Sequence, residues 1–130
     1  MRTCTVGSSE LVVSAVGLGC NQLGSRVDEA GTRAMVDAAL DAGITFFDTA
    51  ESYADGSSEE LLGRALAGRR DRVVVASKFG WSGPAGGSPD YIRSAIERSL
   101  RRLGTDRIDL YQYHRPDGVT PVEETLGAMD

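Results

Sequence analysis

Apolar residues recur along the chain with two different spacings, and segments of the two kinds alternate. Short runs rich in β-branched and aromatic residues lie at 44–47, 73–76 and 108–114, and such runs are typical of strands. Between them, apolar residues return every three to four positions, as on one face of a helix. This alternation predicts a parallel sheet whose strands are joined by right-handed helical crossovers.

The helix predicted at 28–42 has residues suited to both of its ends. Asp28 can cap the start, and Gly43 can take the left-handed conformation after the end. Its inward face is assigned to Met35, Ala38, Ala39 and Ala42.

The later helices carry similar marks. Ser88 and Pro89 begin a helix that Gly104 ends, and residues 120–123 (Thr-Pro-Val-Glu) match a capping box with proline at the first helical position. A further helix precedes Gly68. The apolar faces of these three helices are assigned to Leu61, Leu62, Ala65, Leu66, Ile92, Ala95, Ile96, Ser99, Leu100, Leu103, Val122, Leu126 and Met129.

The N-terminal segment predicts a β-hairpin with strands at 2–6 and 12–13. A further short apolar run at 15–18 adds a fourth strand to the three above, so the hairpin precedes four strand–helix units. Such units build either an open doubly wound sheet or part of a barrel. An open dinucleotide-binding sheet carries G-x-G-x-x-G after its first strand. Residues 17–19 (Gly-Leu-Gly) are followed by Cys-Asn-Gln, and glycine returns too late for that pattern. The open sheet therefore loses its main support.

Composition and charge narrow the possible partners. The 130 residues carry a net charge of −5, which argues against nucleic acid and acidic membranes as partners. No apolar run approaches the ~20 residues of a membrane span, and no signal peptide is visible. Cys4 and Cys20 are expected to be reduced, buried thiols of a cytoplasmic protein rather than a disulfide or a metal pair.

Three successive predicted strands each end in an ionisable residue, namely Asp48, Lys78 and His114. The carboxyl edge of a parallel sheet is where active sites form. Tyr53 lies in the loop that leaves the Asp48 strand. Taken singly, the aspartate suits a loop cap, the lysine a solvated strand end, the histidine a structural hydrogen bond and the tyrosine a packed ring. Their joint placement at neighbouring strand ends indicates an active site.

These four side chains form a coherent set for proton transfer. An ammonium beside a phenol favours its ionised form, and a carboxylate can hold the ammonium in place. A phenol placed in this way can protonate a developing alkoxide while an imidazole orients the carbonyl oxygen. The sequence has no G-x-S-x-G motif and only one histidine, so neither a serine nucleophile nor a metal is expected. The set favours carbonyl reduction by an external hydride donor over hydrolysis.

The sequence resembles the aldo-keto reductase family over nearly its whole length, in the order and the spacing of its motifs. The matching segments are 17–21 (Gly-Leu-Gly-Cys-Asn), 43–50 (Gly-Ile-Thr-Phe-Phe-Asp-Thr-Ala), Tyr53 with 58–63 (Ser-Glu-Glu-Leu-Leu-Gly), 77–78 (Ser-Lys) and 109–114 (Asp-Leu-Tyr-Gln-Tyr-His). It is most similar to the bacterial branch near the potassium-channel β-subunits. The resemblance implies a (β/α)₈ TIM barrel closed below by the hairpin, and NADPH-dependent reduction of a small-molecule aldehyde or ketone.

The resemblance also implies a role for each matched residue. Tyr53 would be the general acid and Lys78 its activating partner. Asp48 would hold the lysine, and His114 would orient the substrate carbonyl. Trp81 would either line the substrate pocket or anchor its loop. The cofactor-binding set would be Gly19, Cys20, Asn21 and Asp48.

A full barrel of this type needs about 250 residues or more. Residues 1–130 are therefore interpreted as one partial domain, the N-terminal half, with the hairpin and four of the eight strand–helix units. Unpaired outer strands predict self-association of such a half. Three hypotheses remain: an inactive fragment of a reductase, a half-barrel that dimerises into an active enzyme, and a non-catalytic NADPH-binding or regulatory module. The intact catalytic set favours a reductase, and the family's later cofactor segments, which have no match here, favour the fragment.

Overall fold

Residues 1–81 and 83–130 are described by a computed structural model, and their strands form two sheets. Strands β1 (Thr3–Thr5) and β2 (Val12–Ser14) pair antiparallel as the predicted hairpin. The second sheet is parallel and contains, in spatial order, β3 (Gly17–Gly19), β4 (Phe46–Asp48), β5 (Val74–Phe79) and β6 (Leu110–Tyr113).

The spatial order of the parallel strands follows their order in the chain. A doubly wound sheet reverses its strand order at a switch point, whereas the strands of a barrel follow one another around it. The sheet therefore has the arrangement of the first four strands of a (β/α)₈ barrel, as predicted.

Four helices alternate with these strands: α1 (Glu29–Asp41), α2 (Ser57–Ala65), α3 (Pro89–Leu103) and α4 (Val122–Met129). The Asp28 carboxylate accepts a hydrogen bond from the Gly31 N–H at 2.8 Å, and the Ser88 hydroxyl accepts one from the Tyr91 N–H at 3.3 Å. Gly104 takes the left-handed position after α3, with φ of 62°. These findings confirm the predicted caps. No helix in the part of the chain that is described has the length and apolarity to cross a membrane.

Two predictions about buried side chains are wrong in part. The buried residues of α1 are Thr32, Val36 and Ala39, whereas Ala38 and Ala42, which the sequence pattern assigned to the core, are exposed. Cys4 and Cys20 are both free thiols, but only Cys20 is buried. Cys4 is exposed, as are both other residues of β1.

The predicted capping box before α4 does not form. Pro121 is the N-cap residue rather than the first helical residue, and no side chain caps the helix. Asp117 Oδ1 instead accepts the Thr120 N–H at 2.8 Å, which is the backbone hydrogen that the Glu123 side chain would accept in a capping box. The apolar stripe predicted for α4 is largely exposed. This helix is held instead by Thr125, whose hydroxyl donates to the Gly87 carbonyl at 2.9 Å.

The hydrophobic core lies between the parallel sheet and the helices. Phe47 of β4 is fully buried in the main cluster, and Phe79 of β5 is fully buried in a second cluster with residues of α3. Successive side chains of a strand point to opposite faces of the sheet. Asp48 and Lys78, the sequence neighbours of these phenylalanines, therefore point to the opposite face from the core.

A close approach between α2 and α3 depends on Gly63. A Cβ at this position would overlap the carbonyl oxygen of Leu103 and lie 2.8 Å from its Cα. These neighbours are backbone atoms, which cannot move aside as a flexible side chain can. The absence of a side chain at residue 63 thus sets how closely the two helices pack behind β5.

Candidate active site

Asp48 and Lys78 meet at the carboxyl edge of the parallel sheet. The Lys78 ammonium donates to Asp48 Oδ2 at 2.7 Å and to the Thr49 carbonyl at 2.9 Å. Lys78 is largely buried, with 13% of its side chain exposed, and Asp48 is partly exposed. Two acceptors therefore hold the ammonium, one of them charged, as the sequence predicted for a lysine fixed by a carboxylate.

Tyr53 joins this pair through its hydroxyl. Lys78 Nζ lies 3.3 Å from Tyr53 Oη and 5.0 Å from the centroid of the tyrosine ring. Tyr53 begins a short 3₁₀ turn, Tyr53–Gly56, between β4 and α2. The loop that leaves β4 therefore returns the phenol to the lysine of the neighbouring strand.

The turn after Tyr53 holds strained backbone. Ala54 and Asp55 both have left-handed conformations, with φ of 50° and 53°. An L-residue with a Cβ pays roughly 1–2 kcal/mol for that conformation. Local strain of this kind clusters at functional sites, where the surrounding structure holds a side chain in a required place.

His114 lies directly after β6 and faces Tyr53. The two rings meet edge to face with centroids 5.8 Å apart. The His114 N–H donates to the Phe79 carbonyl at 2.8 Å, which anchors the residue to β5. Its buried Nδ1 has no hydrogen-bond partner among the described residues. Burial, and next the positive charge of Lys78, lower the pKa of His114, so the ring is neutral at pH 7.

Trp81 packs against the histidine. The centroids of the Trp81 and His114 rings are 4.6 Å apart. The Arg115 guanidinium lies 5.9 Å from the centroid of the tryptophan ring. Trp81 is 49% exposed, so much of its ring surface is open beside the site. The structure thus brings Trp81 to the candidate site through its contact with His114.

The three residues predicted to border a nicotinamide differ in their surroundings. Gly19 pairs with Asp48 across the sheet and is exposed, and a Cβ at Gly19 would meet no atom within 4 Å. Asn21 is exposed as well. The Cys20 thiol is fully buried in the core, and burial raises its pKa to about 12. Of the predicted cofactor-binding set, Gly19, Asn21 and Asp48 therefore present surface and the Cys20 side chain does not.

Buried polar residues behind the site were not singled out from the sequence. Glu59 of α2 is fully buried, and its carboxylate accepts hydrogen bonds from Ser77 at 2.6 Å and from Arg102 at 3.2 Å. Ser77 is the residue before Lys78, so this carboxylate ties the lysine's strand to α2 and α3. Glu51, two residues before Tyr53, is similarly enclosed. Glu59 and Ser77 lie in segments that match the family, whereas the signal for Glu51 was its place between two predicted site residues.

Comparison with known proteins agrees with this geometry. The sequence model of the Aldo/keto reductase family matches residues 15–130. The chain belongs to the aldo/keto reductase family. A probable voltage-gated potassium channel subunit beta from Oryza sativa subsp. japonica is 41% identical to it, and the uncharacterized oxidoreductase YqkF from Bacillus subtilis is 39% identical.

Solved aldo-keto reductases superpose closely on this chain. AKR11C1 from Bacillus halodurans, in its holo form, matches 98% of the chain with a TM-score of 0.89 and 41% identity. The thermostable reductase Tm1743, in complex with the inhibitor epalrestat, matches 99% with a TM-score of 0.88 and 33% identity. The chain spans 42% and 44% of the two curated relatives and 45% and 48% of the two structures, so it corresponds to less than half of each.

The contact between Trp81 and His114 allows the histidine of this chain to be titrated directly. The chain has one tryptophan and one histidine, and a protonated imidazole in contact with an indole quenches its fluorescence. We expect the Trp81 emission to fall on acidification with a midpoint below 6.5, the ordinary pKa of histidine. Since the unfolded chain binds this proton at higher pH, His114 also makes the folded state less stable as pH falls through that interval. A His114→Gln variant should show no such transition, and a midpoint above 6.5 would contradict the prediction.

Proposed function

We propose that the protein is an NADPH-dependent oxidoreductase that reduces the carbonyl of an aldehyde or ketone to an alcohol. The observation that carries this proposal is the position of Lys78 Nζ, 2.7 Å from the Asp48 carboxylate and 3.3 Å from the Tyr53 hydroxyl. An ammonium held in that way stabilises negative charge on the phenol oxygen as its proton leaves.

In this proposal Tyr53 gives its hydroxyl proton to the oxygen of the reduced carbonyl. Lys78 stays charged because Asp48 and the Thr49 carbonyl hold it, so it offsets the charge that remains on the tyrosine oxygen. His114, kept neutral by burial and by Lys78, can donate one hydrogen bond and accept another, which suits a group that orients a carbonyl oxygen. Trp81 lines the pocket beside it.

The proposed cofactor surface is the edge formed by Gly19, Asn21 and Asp48. Gly19 leaves open space where another residue would place a side chain, which suits the close approach of a planar ring. Asp48 retains exposed surface while it binds Lys78. A bound nicotinamide would supply the hydride, and we propose NADPH on the family resemblance.

The test compares two proteins in an assay of NADPH consumption with 4-nitrobenzaldehyde. One is the 130-residue chain, and the other joins it to the C-terminal half of the Bacillus subtilis relative. We expect turnover from the joined protein and none measurable from the 130 residues, because more than half of each relative has no counterpart in them. Turnover by the 130 residues that Tyr53→Phe abolishes would instead support an active dimer formed through the outer strands.

The potassium channel subunit among the relatives supports a second candidate, a non-catalytic nicotinamide-binding or regulatory module. The joined protein separates the two candidates. Tight, saturable NADPH binding without turnover across a panel of aldehydes and ketones would favour the module and contradict the reductase.

A further inference from the structure

Glu51 lies in the loop between Asp48 and Tyr53, and its side chain is enclosed although it is charged. Only 9% of the side chain is exposed. Its own N–H donates to the Lys78 carbonyl at 3.0 Å, so the backbone of the loop continues the pairing of β4 with β5. The side chain then reaches past the end of β5, and its hydrogen-bond partners are not among the proposed catalytic residues.

One carboxylate oxygen of Glu51 accepts two hydrogen bonds. Glu51 Oε1 receives the Gly80 N–H at 2.8 Å and the Tyr91 hydroxyl at 2.7 Å. The other oxygen lies 3.6 Å from Arg98 Nη2. The two hydrogen bonds, from the Gly80 backbone and from Tyr91 of α3, are thus shorter than the ion pair with Arg98.

The contact of Glu51 with the Gly80 N–H matters because the backbone at Gly80 is buried and tightly enclosed. It is buried at the end of β5 with φ of 77°, and a Cβ there would lie 2.6 Å from Tyr113 Cε2 and 2.9 Å from the Gly86 carbonyl oxygen. Its N–H is therefore removed from water and depends on the Glu51 carboxylate for a partner. The next residue in the chain is Trp81.

Helix α3 holds the carboxylate from the other side. Burial, and next the hydrogen bond to Glu51, raise the pKa of Tyr91 to about 12, so its hydroxyl remains a donor throughout the neutral range. The Arg98 guanidinium lies 5.5 Å from the centroid of the Tyr91 ring. The carboxylate is thus fixed between α3 and the turn that starts the Trp81 loop.

We propose that Glu51 is a positioning residue, which holds Trp81 against His114 by fixing the Gly80 turn. The consequence for the pocket rests on the proposed reductase function, while the Trp81–His114 contact does not. Glu51 joins the loop that carries the general acid to the loop that carries the pocket wall. A substrate carbonyl oriented by His114 would then meet the general acid Tyr53 and the Trp81 ring in a constant arrangement.

Two substitutions separate the hydrogen bond from the charge. Glu51→Gln keeps the length of the side chain and an oxygen acceptor but loses the charge that faces Arg98. Glu51→Asp keeps the charge but is one methylene too short to reach Gly80. If Glu51 acts through the Gly80 turn, the aspartate variant loses the contact of Trp81 with His114 and the glutamine variant keeps it. If Glu51 only neutralises the charge of Arg98, the reverse is expected.

The readout is the amplitude of the Trp81 quench when His114 is protonated, in the full 130-residue chain. Amplitude rather than midpoint is compared, because removing the Glu51 charge also shifts the His114 titration. We expect Glu51→Gln to keep most of the amplitude and Glu51→Asp to lose about twofold or more, since a loosened supporting contact lets the ring move away. Glu97→Asp, which shortens by one methylene a glutamate paired with Arg101 on the exposed surface of α3, is the matched control and should resemble the parent.

The reverse order of the two variants, or a folded Glu51→Asp chain with the parent's amplitude, overturns the proposal. If circular dichroism shows that the aspartate variant is unfolded, hydrogen exchange of the Gly80 amide decides. In Glu51→Gln this amide should exchange about five- to tenfold faster than in the parent, because a neutral acceptor binds more weakly than a carboxylate. An unchanged rate overturns the proposal. Neither readout needs cofactor or turnover, so failure of the reductase proposal would leave them interpretable.

Discussion

Tyr53→Phe should lower kcat of the protein that joins this chain to the C-terminal half of the Bacillus subtilis relative by about 10²- to 10⁴-fold, the usual contribution of a general acid, with little change in KM. The substitution removes the one oxygen that lies 3.3 Å from Lys78 Nζ and keeps the ring that faces His114. Substrate can therefore still enter, while the proposed proton donor is lost. Steady-state kinetics with NADPH and 4-nitrobenzaldehyde measure the effect.

Tyr111→Phe is the matched control for this prediction. Tyr111 also stacks on a neighbouring ring, with its centroid 4.9 Å from that of Phe79, but its buried hydroxyl has no hydrogen-bond partner among the residues described. Removing that oxygen should leave kcat near the parent value. Near-parental kcat in Tyr53→Phe would place the proton donor elsewhere and contradict the proposed role.

Gly63→Ala should destabilise the chain by about 3 kcal/mol or more, toward the upper end for overpacked sites. The new Cβ would overlap the Leu103 carbonyl and approach its Cα to 2.8 Å, so α2 and α3 must separate. Their separation would also disturb Glu59 and Arg102, which join the two helices behind Lys78. Because a small domain has only 5–15 kcal/mol of stability, the urea midpoint should fall steeply.

Gly127→Ala provides the opposite expectation in the same protein. Gly127 lies in α4, and a Cβ there would meet no atom within 4 Å. Alanine should therefore stabilise the chain by about 0.5–1 kcal/mol through helix propensity. Equal urea midpoints for the two variants would mean that α2 and α3 do not pack at Gly63 as described.

Features that depend on neighbours in the chain were predictable. The caps at Asp28, Ser88 and Gly104 form because each involves atoms within a few residues of the helix end. The positions of Asp48 and Lys78 near the carboxyl ends of their strands were predictable too, since each residue follows a short apolar run. Parallel pairing then brings successive strand ends to the same edge.

Features that depend on contacts distant in the chain were not predictable. The assigned face of α1 included Ala38, which is exposed, because the position of the sheet rather than the helix pattern decides which side is covered. Glu51 and Glu59 carry charges that a sequence pattern assigns to the surface, and their partners lie 18 to 43 residues away.

Periodicity and motif spacing thus determined the alternating strands and helices, the family, and the four candidate residues at or near the strand ends. Only the folded arrangement showed that Lys78 lies between Asp48 and Tyr53, that Trp81 packs on His114, and that the Cys20 thiol is buried away from the edge. Distances of this kind arise when parallel strands pair and loops close over them. The buried partners of Glu51 become visible at the same step, because burial of a charge is tolerated only where the fold supplies its hydrogen bonds.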